Sequence, residues 1–144
     1  MAAAQESSSR PPTRIVRLRK VLVIDKDPSW GPAIRLALEE SGYYLNLVAD
    51  AQEGARRVTE RAYDLVIVSA SLGSAALQGI LETLARRVAP PGVIVLAEAD
   101  DQMQKDGRCV PWMSILRRPY AIEDVVDAAR ALVGVPWSDH RQGA

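Results

Sequence analysis

The chain has 144 residues, 18 Lys and Arg against 18 Asp and Glu, so its formal charge is zero and overall charge does not point to nucleic acid or an anionic membrane. At 48% hydrophobic and 25% charged it has the make-up of one globular domain with a real core, and no apolar run approaches the roughly 20 residues of a membrane span. One Cys and one His exclude an internal disulfide and leave no ligand cluster for zinc, which fits a reducing, cytoplasmic setting.

Residues 1–14 are Ala, Ser, Pro and Arg without periodicity, and residues 1–17 are expected to form a disordered basic tail. Arg10, Arg14, Arg17, Arg19 and Lys20 face only Glu6 there. No signal-peptide core precedes them, and Glu6 and the shortness of the stretch argue against a transit peptide. Ile15-Val16-Arg17-Leu18-Arg19 either prolongs the first strand or packs on its edge. Residues 20–24 are a continuous apolar run after Lys20, as in a central parallel strand buried on both faces. Asp27-Pro28 starts a helix: Asp caps free backbone N–H groups and Pro fits the first turn. Trp30, Ile34 and Leu38, with Ala33 and Ala37, form its apolar stripe, and Gly42 ends it.

A second strand is predicted from Tyr43 to Ala49, and Asp50 caps a helix over 51–61. A third strand covers 63–69. After a loop at Leu72-Gly73-Ser74, a helix from Ala75 to Val88 presents Leu77, Ile80, Leu81, Leu84 and Val88 to the core. Pro90-Pro91-Gly92 is a turn, and strand four covers 93–97. Residues 98–110 offer almost no apolar face, so a fourth helix there is short or loose before Pro111-Trp112 interrupts. Strand five covers 114–117, and a last helix over 122–133 buries Ile122, Val125, Val126, Ala129 and Leu132. Residues 135–144 are expected to be a mobile tail, with His140 solvated among Ser138, Asp139 and Arg141.

Strand and helix alternate five times, which implies an α/β fold with a doubly wound five-stranded parallel sheet. Sites in such sheets form at the carboxyl ends of the strands. Here those ends carry Asp25-Lys26-Asp27, Ser69, Ala97 and Arg118.

Val23-Ile24-Asp25-x-Asp27-Pro28, Gly42-Tyr43, Asp64-Leu65-Val66 and Arg118-Pro119-Tyr120 together resemble the receiver domains of bacterial response regulators, with their flavodoxin-like, CheY-like sheet, over residues 18–134. The resemblance implies a pocket with two acids that bind Mg²⁺, an acceptor Asp, a hydroxyl after strand four and a Lys before a cis-Pro. By motif, Asp25 matches the first acid and Pro119 the cis-Pro, and Tyr120 keeps the aromatic. Lys26 stands at the second acid, Ser69 at the acceptor, Ala97 at the hydroxyl and Arg118 at the Lys.

Those changes have chemical consequences. Mg²⁺ takes oxygen ligands, usually carboxylates. Two like charges about 5 Å apart interact by roughly 3 kcal/mol at an effective dielectric near 20. Lys26 beside Asp25 or Asp27 is expected to act as a built-in cation, so no metal or other cofactor is expected. Ser69 has no carboxylate to form an acyl phosphate, Ala97 has no hydroxyl to follow a phosphoryl oxygen, and Arg118 keeps charge without the point-charge geometry of Lys. Plain structural roles stand beside this reading. Asp27 serves as a helix cap, Asp25 forms an ion pair with Lys26 or Arg118, and the Ser69 hydroxyl is satisfied by nearby backbone. The Arg56-Arg57, Arg86-Arg87 and Arg117-Arg118 pairs are solvated or complement helix C-termini.

The expected function is that of a non-enzymatic pseudo-receiver: a phosphorylation-independent adaptor that binds signalling proteins through the face of its fourth helix, fifth strand and fifth helix. Trp112, Arg117 and Tyr120 are candidate anchors there, although Pro111-Trp112-Met113 serves equally well as a core plug. The alternative is a regulator that binds nucleic acid through its basic arm or a small anion at Arg118. No helix-turn-helix follows the domain, and the arm lacks aromatics for base stacking. A homodimer is left open. A phosphate loop for FMN, a Gly-x-Gly-x-x-Gly fingerprint and a cobalamin-binding histidine loop are all missing.

Overall fold

The computed structural model describes residues 19–99 and 113–134. The expected tails at 1–17 and 135–144, most of the 98–110 segment and Pro111-Trp112 lie outside those residues. The elements in order are β1 (Lys20–Ile24), α1 (Trp30–Glu40), β2 (Tyr44–Val48), α2 (Ala51–Glu60), β3 (Leu65–Ser69), α3 (Ser74–Ala85), β4 (Gly92–Ala97), β5 (Met113–Arg117) and α4 (Ile122–Val133). A short 3-10 turn, Ala70–Leu72, joins β3 to α3. The strands form one parallel sheet in the order β2-β1-β3-β4-β5. This is the flavodoxin-like, CheY-like α/β fold, with four helices among the described residues.

Alternation along the central strands builds both layers. Val21, Val23, Leu65, Ile67, Ile94 and Leu96 face one side and pack with Ile34 and Leu38 of α1 and Val125 and Ala129 of α4. Leu22, Ile24, Val66, Val68, Val93 and Val95 face the other and pack with Val58 of α2 and Leu77, Ile80 and Leu84 of α3. Side chains of period two in a strand are split between the faces, and the central strands are apolar at successive positions, apart from Lys20 and Ser69 at their ends, because both faces are covered. The order of strands brings the carboxyl ends of β1, β3 and β4 side by side, which sets the position of the candidate site.

Local signals place the ends. Asp27 Oδ1 accepts the Ser29 and Trp30 backbone N–H groups at 2.7 and 3.1 Å, so the acid caps the turn that leads into α1. Gly42, with φ of 96°, takes the left-handed conformation just after α1. Asp50 Oδ1 accepts Gln52 N at 2.8 Å and caps α2. At the start of α4, Asp124 reaches back to the Ala121 N–H at 2.8 Å.

Several boundaries differ from the sequence reading. β2 ends at Val48, and Ala49 is exposed. α3 begins at Ser74 and stops at Ala85, so Val88 is not a core residue: it is fully exposed, at 104%. The backbone there tightens, with Arg86 N bonding Thr83 O and Arg87 N bonding Leu84 O, and Pro90-Pro91 follow. Bonds of this i→i+3 type close a helix end. Ala33 also lies exposed, outside the buried stripe of α1.

Candidate functional site

The loop after β1, the ends of β3 and β4 and the loop after β5 meet at one edge of the sheet. Asp25 is buried there, at 5% exposure. Its Oδ1 accepts the Asp27 N–H at 2.9 Å. Burial pushes the Asp25 carboxyl above its ordinary range; the backbone hydrogen bond from Asp27 opposes this, the Asp27 charge adds to it and the Arg118 charge opposes it. Asp27 is held below its ordinary range by the two backbone N–H groups it caps.

Ser69 is buried at the end of β3, at 7% exposure. Its Oγ lies 2.7 Å from Ser71 Oγ and accepts the Ser71 backbone N–H at 3.1 Å. The hydroxyl is therefore satisfied within its own turn, as the sequence suggested. Ala97 is buried at the end of β4, and its carbonyl accepts the Arg118 N–H at 3.0 Å. The Arg118–Pro119 peptide is cis.

Arg118 is the organising side chain. Its Nε lies 3.2 Å from Glu98 Oε2, one residue beyond β4. Its guanidinium carbon stands 5.7 Å from the centre of the Trp30 ring and 5.4 Å from that of Tyr120. The two rings are 5.1 Å apart and inclined at 43°. A cation at such distances from two ring faces is attracted by both. Trp30 and Tyr120 are also half-buried against the core, and burial raises the Tyr120 hydroxyl above its ordinary value.

The expected ion pair of Asp25 with Lys26 or Arg118 does not form. Lys26 is exposed and has no ion-pair partner among the described residues, and the charges acting on Asp25 are those of Asp27 and Arg118. The physical reason is geometric: Lys26 follows a side chain that points inward, so its own points out to water, where a mobile ammonium loses little by being unpaired. Arg118 takes Glu98 instead, because its guanidinium can donate Nε–H to a carboxylate while its charge is also attracted by the two neighbouring aromatic rings. The structure thus gathers Asp25, Asp27, Ser69, Ala97, Arg118 and Tyr120 at one edge and leaves Lys26 turned away.

Arg117 is half-buried, in register with Ala97. Trp112 lies outside the described residues. Sequence reasoning missed two members. Trp30 was assigned to the helix stripe alone, and Glu98 to the segment 98–110 of a short or loose fourth helix; the signal available was an acid directly after β4 facing an Arg directly after β5.

The donor set does not suit Mg²⁺. Asp27 Oδ1 holds two N–H groups and Asp25 Oδ1 a third, while Ser69 contributes a hydroxyl rather than a carboxylate. Among the described residues, no group of three His, Cys, Asp or Glu side chains converges as metal ligands. No helix among them is long and apolar enough to cross a membrane.

No family model matches the chain, and no curated protein matches it. Its structural neighbours are response-regulator receiver domains. A chemotaxis response regulator of Vibrio cholerae superposes with a TM-score of 0.69 at 18% identity, over 81% of this chain and 99% of that one. A receiver domain protein of Clostridium thermocellum gives 0.64 at 25% identity, over 81% and 94%. A streptococcal protein, from a family of redox sensors evolved from two-component response regulators, gives 0.69 at 22% identity, over 80% of this chain and 51% of that one. The chain therefore has the receiver-domain fold of two-component response regulators.

Proposed function

We propose that this domain is a phosphorylation-independent pseudo-receiver, a non-catalytic module that binds signalling proteins in one fixed conformation. The observation that carries the reading is Arg118, stacked on Trp30 and Tyr120 and paired with Glu98 at the edge where a receiver performs its chemistry. A receiver needs a carboxylate acceptor and metal ligands in that place, and this edge offers a self-satisfied hydroxyl and a stacked cation. Arg118 ties the end of β4 to the loop after β5 and to the start of α1, so the segments that would move with a phosphoryl group are held together without one. Glu98 already neutralises Arg118, which weighs against capture of a small anion there. The partner surface in this reading is the side of β5 and α4, with Arg117, Tyr120 and Trp112 as anchors.

Two measurements test it. Full-length protein is incubated with Mg²⁺ and acetyl phosphate, and its intact mass is followed. No gain of a phosphoryl group is expected, and stoichiometric acid-stable or acyl phosphorylation overturns the reading. In parallel, tagged protein and its Trp112→Ala variant are used to capture partners from their native cells, with and without phosphodonor. A defined signalling protein, retained regardless of phosphodonor and lost in the variant at unchanged unfolding midpoint, supports the module. Loss of stability in Trp112→Ala assigns that residue to the core instead, and capture that depends on phosphodonor defeats the proposal.

A further inference from the structure

Two features on opposite layers of the sheet take no part in the candidate site. The first is an open trough between α1 and α4. There α1 presents only the small side chains of Ala37 and Ser41, opposite the half-buried Ile122 and Val126 of α4, and the gap between them measures about 250 Å³. A second hollow of about 300 Å³, lined by Trp30, Ala33 and the same Ile122, extends it towards the start of α1. Three carboxylates rim the trough: Glu40 from α1, and Glu123 and Asp127 from α4. Arg130 stands 3.6 Å from Asp127, and Glu40 and Glu123 have no ion pair among the described residues. The trough is therefore an apolar floor with an acidic rim.

The second is the tip that follows α3, on the other layer. Val88, Ala89 and Pro90 are all exposed there, Val88 fully. The tip is pinned at both ends: Arg87 N bonds Leu84 O at 3.2 Å, and Pro91 is buried just before β4. Two successive prolines restrict its backbone further. Arg87 Nη2 donates to Arg61 O at 2.7 Å, which ties the tip to the end of α2 and brings Arg61 next to Arg86 and Arg87. None of these three arginines has an ion pair among the described residues. The tip is therefore an apolar knob with a cationic collar.

We propose that the knob after α3 of one copy docks in the α1–α4 trough of a second copy of this chain, with Val88 against Ile122 and Val126 and the Arg61, Arg86 and Arg87 collar facing Glu40, Glu123 and Asp127. Size and charge select this occupant. A valine is short enough to meet the floor of a trough whose α1 wall is Ala37 and Ser41, and each surface supplies the charge that the other lacks. Knob and trough lie on different surfaces, so the contact is heterologous: copies add in a row or close into a ring, and no twofold axis stops them at a dimer. A contact this small is weak, and its exposed charges are screened by salt. It uses neither Ser69 nor Arg118, so this inference and the pseudo-receiver reading do not depend on each other.

Sedimentation equilibrium of the full-length protein tests it. At low salt the weight-average mass is expected to rise with concentration towards about 1 mM, the range in which weak specific contacts fill, and the rise is expected to disappear in added salt. Val88→Asp removes the knob, and Glu40→Lys/Asp127→Lys reverses the rim; all three residues are exposed, and unchanged unfolding midpoints check the fold. Should the midpoint of the rim variant fall, Glu40→Gln/Asp127→Asn takes its place with the same expectation. Each variant alone is expected to stay at the monomer mass. Mixed in equal amounts they are expected to form a heterodimer and nothing larger, because the first keeps an intact trough and the second an intact knob. A wild-type mass independent of concentration overturns the proposal. So does association that survives in either variant, and so does a mixture that stays monomeric, which assigns the wild-type contact to like surfaces.

Discussion

The guanidinium of Arg118 meets the Trp30 ring at 5.7 Å, joining the residue before a cis-Pro to the first turn of α1. The contact is made because Tyr120 lies beside Trp30, 5.1 Å from it and 5.4 Å from the same guanidinium carbon, and Glu98 fixes Nε.

Removing the cation tests how much the stack contributes. The Arg118 side chain is 39% exposed, so its pairing with Glu98 is partly screened and the ring contacts dominate. Arg118→Ala is expected to lower unfolding free energy by about 1 kcal/mol. Arg118→Lys keeps the charge but not the planar contact and should recover only part of it. Urea unfolding of the three proteins measures both; a Lys variant equal to wild type would show that charge alone suffices.

Asp25 predicts an unusual pH response. Its folded-state carboxyl is raised above 3.8 mainly by burial, so the folded state binds the proton more tightly than the unfolded chain. Its ionisation therefore costs stability: the favourable contribution is complete below 3.8 and is lost as pH rises through the raised folded value. Asp27 has the opposite sign, since its capping hydrogen bonds favour the charged form and are lost as pH falls below 3.8. Asp25→Asn is expected to match or exceed wild-type stability at neutral pH. Its advantage should shrink as pH is lowered towards 3.8, read from denaturation midpoints at several pH values.

Two helical glycines should respond oppositely to alanine. A Cβ at Gly54 in α2 would stand 2.7 to 3.0 Å from three side-chain carbons of Ile24, which is fully buried. Gly54→Ala is expected to destabilise by about 1–3 kcal/mol despite better helix propensity. Gly79 in α3 has open space at its Cβ and is exposed, so Gly79→Ala should stabilise by about 0.5–1 kcal/mol. Thermal unfolding of both variants decides the matter; a stabilised Gly54→Ala would mean that α2 shifts away from Ile24 at little cost.

The failures of sequence reasoning are as informative as its successes. The apolar runs at 21–24, 65–68 and 93–97 announced buried parallel strands, because strands covered on both faces can be apolar at successive positions. Asp27, Gly42 and Asp50 marked helix ends through bonds made within a few residues. Val88 misled because helical spacing of apolar residues persists in the sequence after the backbone hydrogen bonds have stopped. Lys26 misled because the turn in which Asp25 accepts the Asp27 N–H leaves Asp25 buried and Lys26 exposed, so adjacency in sequence brings no contact.

The sequence by itself determined the five strands, the apolar layers on both sides and the edge at which the candidate site lies, since these follow from periodicity and from capping chemistry between near neighbours. Only the tertiary structure decided which cation stands over that edge, that Glu98 and not Asp25 is its partner, and that Trp30 meets it while also packing on the core. The reason is physical: the order of strands in the sheet brings together residues from four separate segments, and among several charges of the right sign the pairing goes to the side chains whose direction and burial permit contact, which no local pattern in the chain records.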